Sequence, residues 1–183
     1  MVRPGVKFTL SIALSSTLVG CGFTVNPYGA SLENVTVTKS SGLKPVSVGT
    51  FSSFKPGMNS ISCRAAGNVE TPDEASYESY IQKAFTDELK LAGLYDESSN
   101  LKLQGKIEEL DFNSNIGAGK WVISLTLTSN MSSGYKTTAT HEFSTNWVAD
   151  KACQQVAQAF VPAVQKLILQ TVGNPKFGEL TKN

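Results

Sequence analysis

The chain has 183 residues, 40% of them hydrophobic, with Lys+Arg 16 against Asp+Glu 15, a composition that fits a folded domain and excludes a disordered or fibrous one. Without a basic surplus or a Lys/Arg cluster, the electrostatic footprint of a nucleic-acid binder is missing, so no nucleic-acid partner is expected. A single histidine leaves any Cys/His metal site short of ligands, and neither metal nor cofactor is expected.

The first element is a secretory address. Met1 to Lys7 carries Arg3 and Lys7, and an apolar run from Phe8 to Leu18 ends in small residues, the n- and h-regions of a signal peptide over 1–20. That run is shorter than the roughly 20 apolar residues a membrane-spanning helix needs. Leu18-Val19-Gly20-Cys21 closes it. The tetrapeptide resembles the lipobox of bacterial lipoproteins, in which the cysteine directly after the h-region is acylated and becomes the mature N-terminus. The resemblance implies lipidation of Cys21 and a membrane anchor through acyl chains, worth about 0.8 kcal/mol per buried CH₂, with two or more chains for stable attachment. An ordinary signal peptide with an incidental Cys21 is the alternative. Gly22 follows, not Asp, which in the lipoprotein class implies sorting to the outer membrane, facing the periplasm.

Cleavage would leave 163 of the 183 residues; Lys+Arg falls from 16 to 14 as Arg3 and Lys7 leave, Asp+Glu stays 15, and the net charge becomes −1. One domain suits that length. Residues 22–44 are rich in Ser, Thr, Asn, Gly and Pro with only Glu33, Lys39 and Lys44 charged. With the lipidated Cys21 they read as a flexible tether over 21–44, reaching about 25 to 30 Å as a coil; Leu32, Val35 and Val37 as a weak edge strand are the alternative. The body is then a single domain over 45–183.

Val46, Val48 and Thr50 alternate with Ser47 and Gly49, which predicts a first strand. A long polar loop is expected from Ser52 to Glu70, holding Cys63. Thr71-Pro72-Asp73-Glu74 has the form of a capping box with Pro at the first helical position. Tyr77, Tyr80, Ile81, Ala84, Phe85, Leu89 and Ala92 then recur at helical spacing until Gly93, an aromatic stripe read as core.

Three strands come next. Leu101, Leu103 and Ile107 share a parity that Leu110 and Phe112 do not, so a bulge is expected near Glu108-Glu109. Trp121, Ile123, Leu125 and Leu127 face one way and Val122, Ser124, Thr126 and Thr128 the other. After a turn over Asn130 to Gly134, the next strand places Tyr135, Ala139, His141, Phe143 and Trp147 on the apolar face, opposite Lys136, Thr138, Thr140 and Glu142. The sheet should have one wet face. A last helix, capped by Asp150, runs through Cys153, Val156, Phe160, Val164, Leu167 and Ile168 to Gly173, with a kink expected at Pro162. Its polar face carries Gln154, Gln155, Gln158, Gln165 and Gln170, a surface that desolvates more easily than a charged one.

Besides Cys21 the chain has two cysteines, Cys63 and Cys153. In an oxidising envelope they most simply form a disulfide, worth roughly 4 to 5 kcal/mol for a loop of about 90 residues; a buried helix thiol and a loop thiol are the alternative. Gly117-Ala118-Gly119-Lys120 has the last residues of a P-loop, but Ser114 stands where a glycine is needed, Trp121 where Ser or Thr is needed, and a strand follows instead of a helix. His141 stands alone on an apolar strand face, without the partners a hydrolytic triad needs, so no catalytic residue is assigned. Binding candidates are the Ser/Thr face, with Thr126, Thr128, Thr138 and Thr140, and the helix glutamines Gln154 and Gln158.

The order β-α-β-β-β-α predicts an α+β sandwich, a mostly antiparallel sheet of about four strands with two helices on one face. The stretches Ile61 to Leu94, Trp121 to Thr128 and Ala152-Cys153 through Phe177 resemble an uncharacterised family of proteobacterial outer-membrane lipoproteins. In architecture alone the chain is similar to lipopolysaccharide-assembly lipoproteins and YajG-like lipoproteins. The expected function is a non-enzymatic accessory or assembly factor with an envelope protein partner. The alternative is a carrier or sensor of lipid or glycan that uses a groove between helices and sheet.

Overall fold

A computed structural model of the chain describes residues 22–181; the expected signal peptide over 1–20 and Cys21, the expected lipidation site, lie outside the described residues. Among the described residues the fold is α+β, with three α-helices and two sheets. The larger sheet has five strands rather than the expected four, and it is mixed rather than mostly antiparallel. Its long strands are β6 (Lys102–Asn113), β7 (Gly119–Ser129) and β8 (Tyr135–Phe143), each antiparallel to the next. The register of β6 on β7 shifts between Ile107 and Glu109. That is the bulge expected there, and it keeps Leu103, Ile107 and Leu110 all in the core.

On the outer side of β6 run two short parallel strands, β2 (Ser47–Val48) and β3 (Ser52–Ser53). They are parallel because α2 (Tyr77–Leu91) lies between them and β6 in sequence, and a crossover helix returns the chain to the same end of the sheet. Phe51 separates the two strands and packs on Gly105, where any Cβ would sit 2.6 Å from its ring.

The expected 52–70 loop is in fact β3 followed by a hairpin, β4 (Ser60–Cys63) and β5 (Gly67–Glu70). With β1 (Phe23–Thr24), which pairs parallel to β5, the hairpin makes the second sheet. The capping box also fails. Pro72–Glu74 is a separate 3-10 turn with Asp73 and Glu74 at positive φ, and α2 is capped five residues later by Ser76, whose hydroxyl accepts from the Ser79 amide. Thr71 is instead held by the carbonyls of Asn59 and Ala75.

Residues 22–44 are not a tether, and the body begins at β1 rather than at residue 45. They hold β1 and a helix, α1 (Leu32–Ser40), capped by Ser31. The side chains that α1 buries are Asn34 and Thr38, while Leu32 is 83% exposed, the reverse of an amphipathic pattern. What fixes α1 is the carboxylate of Glu88 on α2. Its Oε1 accepts from Tyr28 Oη at 2.6 Å, the Ser31 amide at 2.8 Å and Asn34 Nδ2 at 3.3 Å. Asn34 also donates to the carbonyl of Gln165 on the last helix at 3.0 Å. Burial, then the hydrogen bond to Glu88, push the Tyr28 phenol above its usual pKa.

The last helix, α3 (Ala149–Val172), is continuous through Pro162. Pro162 and Gln158 are both exposed, so the carbonyl that loses its amide partner faces water. Helices α2 and α3 cover the Trp121 face of the large sheet. Between them Trp121 lies 4.9 Å from Phe160 and 4.8 Å from Phe112, ring centre to ring centre, and donates from Nε1 to the Val156 carbonyl at 2.9 Å. The aromatic stripe of α2 joins this cluster, with Tyr77 and Tyr80 each 5.2 Å from Phe160. Their hydroxyls donate to the carbonyls of Val69 and Asn26, tying the small sheet and the N-terminal segment to α2.

Candidate functional site

The two groups of candidate binding residues lie on opposite sides of the molecule. Thr126, Thr128, Thr138 and Thr140 stand on the helix-free face of the large sheet, since Trp121, Ile123, Leu125 and Leu127 of the other parity are buried under α2 and α3. Strand register arranges that wet face in rows: Lys106, Thr126 and Lys136 in one, Glu109, Ser124 and Thr138 in the next, Asp111, Val122 and Thr140 in a third. Ser124 and Thr138 share a 2.8 Å hydrogen bond, and Ser124 also donates to Glu109 at 3.2 Å. A hydrogen bond from Lys106 holds the half-buried Glu108 carboxyl below its usual pKa. Opposite charges lie side by side along the face, so it presents hydroxyls and mixed charge, not a field of one sign.

Beyond β8 the sheet ends. In an antiparallel ladder the amide and carbonyl of one residue point to the same side, and the side alternates along the strand. The Thr140 carbonyl accepts from Lys166 Nζ at 2.6 Å, so Lys136, Thr138, Thr140 and Glu142 turn their backbone groups outward, where no described strand pairs with them. Lys166 arches from α3 over this edge, a placement that discourages unspecific pairing of edges. No local pattern announces it, because the guarding residue belongs to a helix 26 positions further on.

Gln154 and Gln158 border a hollow of about 380 Å³ shared with Gly22, Phe23, Thr24 and Asn26. The glutamine face of α3 is thus next to the start of the described chain. A more apolar hollow of about 290 Å³ lies between Pro27 and Tyr28 on one side and Ala75 and Tyr80 on the other. The space between helices and sheet, where the alternative carrier reading places a groove, is filled by the Trp121 and Phe160 cluster.

The expected disulfide is present: Cys63, at the end of β4, is bonded to Cys153 on α3 with their Cα atoms 5.9 Å apart. It joins the small sheet to the helix layer. Gly117 closes a turn and Gly119-Lys120 open β7, in keeping with the rejection of this run as a P-loop. Trp147, expected on the apolar face, is 77% exposed, because β8 ends at Phe143 and the alternation stops with it.

His141 is half-buried beside Phe143, and burial, assisted by the Lys166 ammonium, holds its imidazole below the usual pKa. The folded chain therefore binds fewer protons than the unfolded one as pH falls below about 6.5, so this contribution to stability is complete above that pH and declines below it. Between about pH 7 and pH 5, the urea midpoint of the wild type should fall further than that of His141→Gln. Equal falls would contradict this.

No family model and no curated protein matches this sequence. Solved structures similar to it include those of two proteobacterial proteins. One is a Xanthomonas campestris protein of a family described as DUF330, at 10% identity over 81% of this chain and 90% of that one, with a TM-score of 0.44. The other is a PelC dodecamer from Paraburkholderia phytofirmans, at 16% identity over 70% and 90%, with a TM-score of 0.38. Likenesses this distant carry nothing about function.

Proposed function

We propose that the chain is a non-enzymatic lipoprotein, anchored by acyl chains on Cys21 at the periplasmic face of the outer membrane, that docks an envelope protein by strand addition along β8. The observation supporting this reading is the free edge of β8, nine residues long, with its outward backbone groups at Lys136, Thr138, Thr140 and Glu142. Main-chain hydrogen bonds to such an edge supply affinity, and the alternate side chains supply selectivity. Lys166 blocks chance pairing, and a partner amide can displace its flexible ammonium from the Thr140 carbonyl. The other docking candidate, the exposed Gln154 and Gln158, borders the start of the described chain at Gly22 to Thr24 and offers no run of unpaired backbone groups, so β8 is the preferred site.

One observation favours the carrier reading in altered form. The hollow between Tyr28 and Tyr80 is apolar and, at about 290 Å³, near the roughly 300 Å³ at which ligand pockets begin. It suits a single sugar ring, stacked on a tyrosine, better than a lipid tail.

Thr138→Pro removes an outward amide without touching the ladder to β7, a position where edge strands tolerate proline. Partner recovered with the full-length protein from its native envelope should fall by about tenfold, the effect of about 1.4 kcal/mol, while the urea midpoint stays near that of the wild type. Lys166→Ala should raise recovery. Undiminished recovery with Thr138→Pro would rule out β8 as the docking edge.

A further inference from the structure

Several segments distant in sequence meet at the end of the molecule where the described chain begins. Gly22 enters β1, whose parallel register, Phe23 on Val69, directs it toward the tip of the β4–β5 hairpin. From that tip Arg64 donates through Nε to Ser114 Oγ and through a terminal nitrogen to the Asn146 carbonyl, both at 3.0 Å. The first contact reaches the β6–β7 turn and the second the segment before α3. These two segments also bind each other, the Gly117 amide donating to the Thr145 carbonyl at 3.2 Å and the Thr145 hydroxyl to the Asn115 carbonyl. The Cys63–Cys153 disulfide locks the hairpin to α3 behind them.

On this braced end Ile116 is 75% exposed and Trp147 77%. The other exposed large apolar residues among those described are Leu32 on α1, Leu91 on α2, Phe54 and Met131, and none of them lies on the hairpin tip or on the two segments that Arg64 ties together. Successive Cα atoms are about 3.8 Å apart, so acyl chains on Cys21 would enter the bilayer immediately beside Gly22. Because β1 pins Gly22 to the body, no slack separates the anchor from this surface. We infer that Trp147 and Ile116 form a second, non-covalent contact with the membrane and sit at the lipid interface, where tryptophan is favoured. The inference rests on the lipid-anchor reading, and it holds the body in one orientation instead of leaving it to swing on its anchor.

The two tryptophans supply the test, since Trp121 is fully buried and Trp147 is not. Full-length protein isolated from its membrane would be reconstituted into phosphatidylethanolamine and phosphatidylglycerol vesicles whose acyl chains carry bromine near the glycerol. Tryptophan emission should be quenched relative to unbrominated vesicles, and Trp147→Phe should abolish the quenching while leaving the Trp121 emission unchanged. Mass analysis of the N-terminal peptide decides the anchor separately. Acylated protein without quenching overturns the contact and leaves the anchor standing. If the peptide is unacylated, the anchor reading falls, and the same vesicles in excess still decide the contact: quenching lost in Trp147→Phe keeps it, and absence of quenching ends it.

Discussion

Replacing Cys63 and Cys153 together by alanine should lower the unfolding free energy by about 4 to 5 kcal/mol, the chain-entropy value for a loop of this length. The bond spans 90 residues and closes a loop that holds α2 and all of β6 and β7. Its loss therefore frees more than half of the described chain in the unfolded state. Domains of this size have only about 5 to 15 kcal/mol in total, so the variant should sit near the edge of stability. Both cysteines are buried, at 1% and 0% exposure, so a reductant should act on the unfolded protein and spare the folded one. Urea unfolding with and without reductant measures both effects, and unfolding free energies that agree within about 0.5 kcal/mol would show that the bond does not restrain the unfolded chain as described.

Glu88→Ala should cost about 3 to 5 kcal/mol, because one carboxylate oxygen serves three donors, Tyr28 Oη, the Ser31 amide and Asn34 Nδ2, and each buried donor left unpaired costs about 1 to 3 kcal/mol. The damage should be local before it is global. Between the core residues Val25 and Leu43, the segment with α1 holds to α2 and α3 through this carboxylate, Asn34, the Tyr80 hydroxyl and the Gln165 amide on the Gly29 carbonyl, with little apolar burial from α1, so limited proteolysis of Glu88→Ala should cut first in that segment. Glu88→Gln keeps an acceptor oxygen and should lose less. Equal protease resistance in Glu88→Ala and wild type would mean that other contacts hold α1.

The same carboxylate explains why the N-terminal segment could not be read from the sequence. Its helix buries Asn34 and Thr38 and exposes Leu32, so apolar periodicity carries no signal there, and the compensating charge lies on α2, 54 positions from Asn34. The long strands were legible because burial follows parity: the β6 bulge appeared as a parity change and the Trp121 face as strict alternation. Strands β2 and β3 have two residues each and exist through pairing with β6, which is a property of the assembled sheet. Ser76 displaced Thr71 as the cap because Asp73 and Glu74 take left-handed backbone angles, which nothing in Thr-Pro-Asp-Glu announces. At the candidate site, alternation identified the threonine face. That β8 would be the edge, and that Lys166 would cover it, depended on strand order and on packing between a helix and a strand.

The most direct test of docking through β8 is a photo-crosslinking residue placed at Thr138 in the full-length protein, activated in its native envelope. The account predicts a single protein adduct at near-equal stoichiometry from Thr138, strengthened by Lys166→Ala, and none from the same probe at Gln158. Adducts to lipid alone, or a protein adduct from Gln158 and none from Thr138, would contradict it.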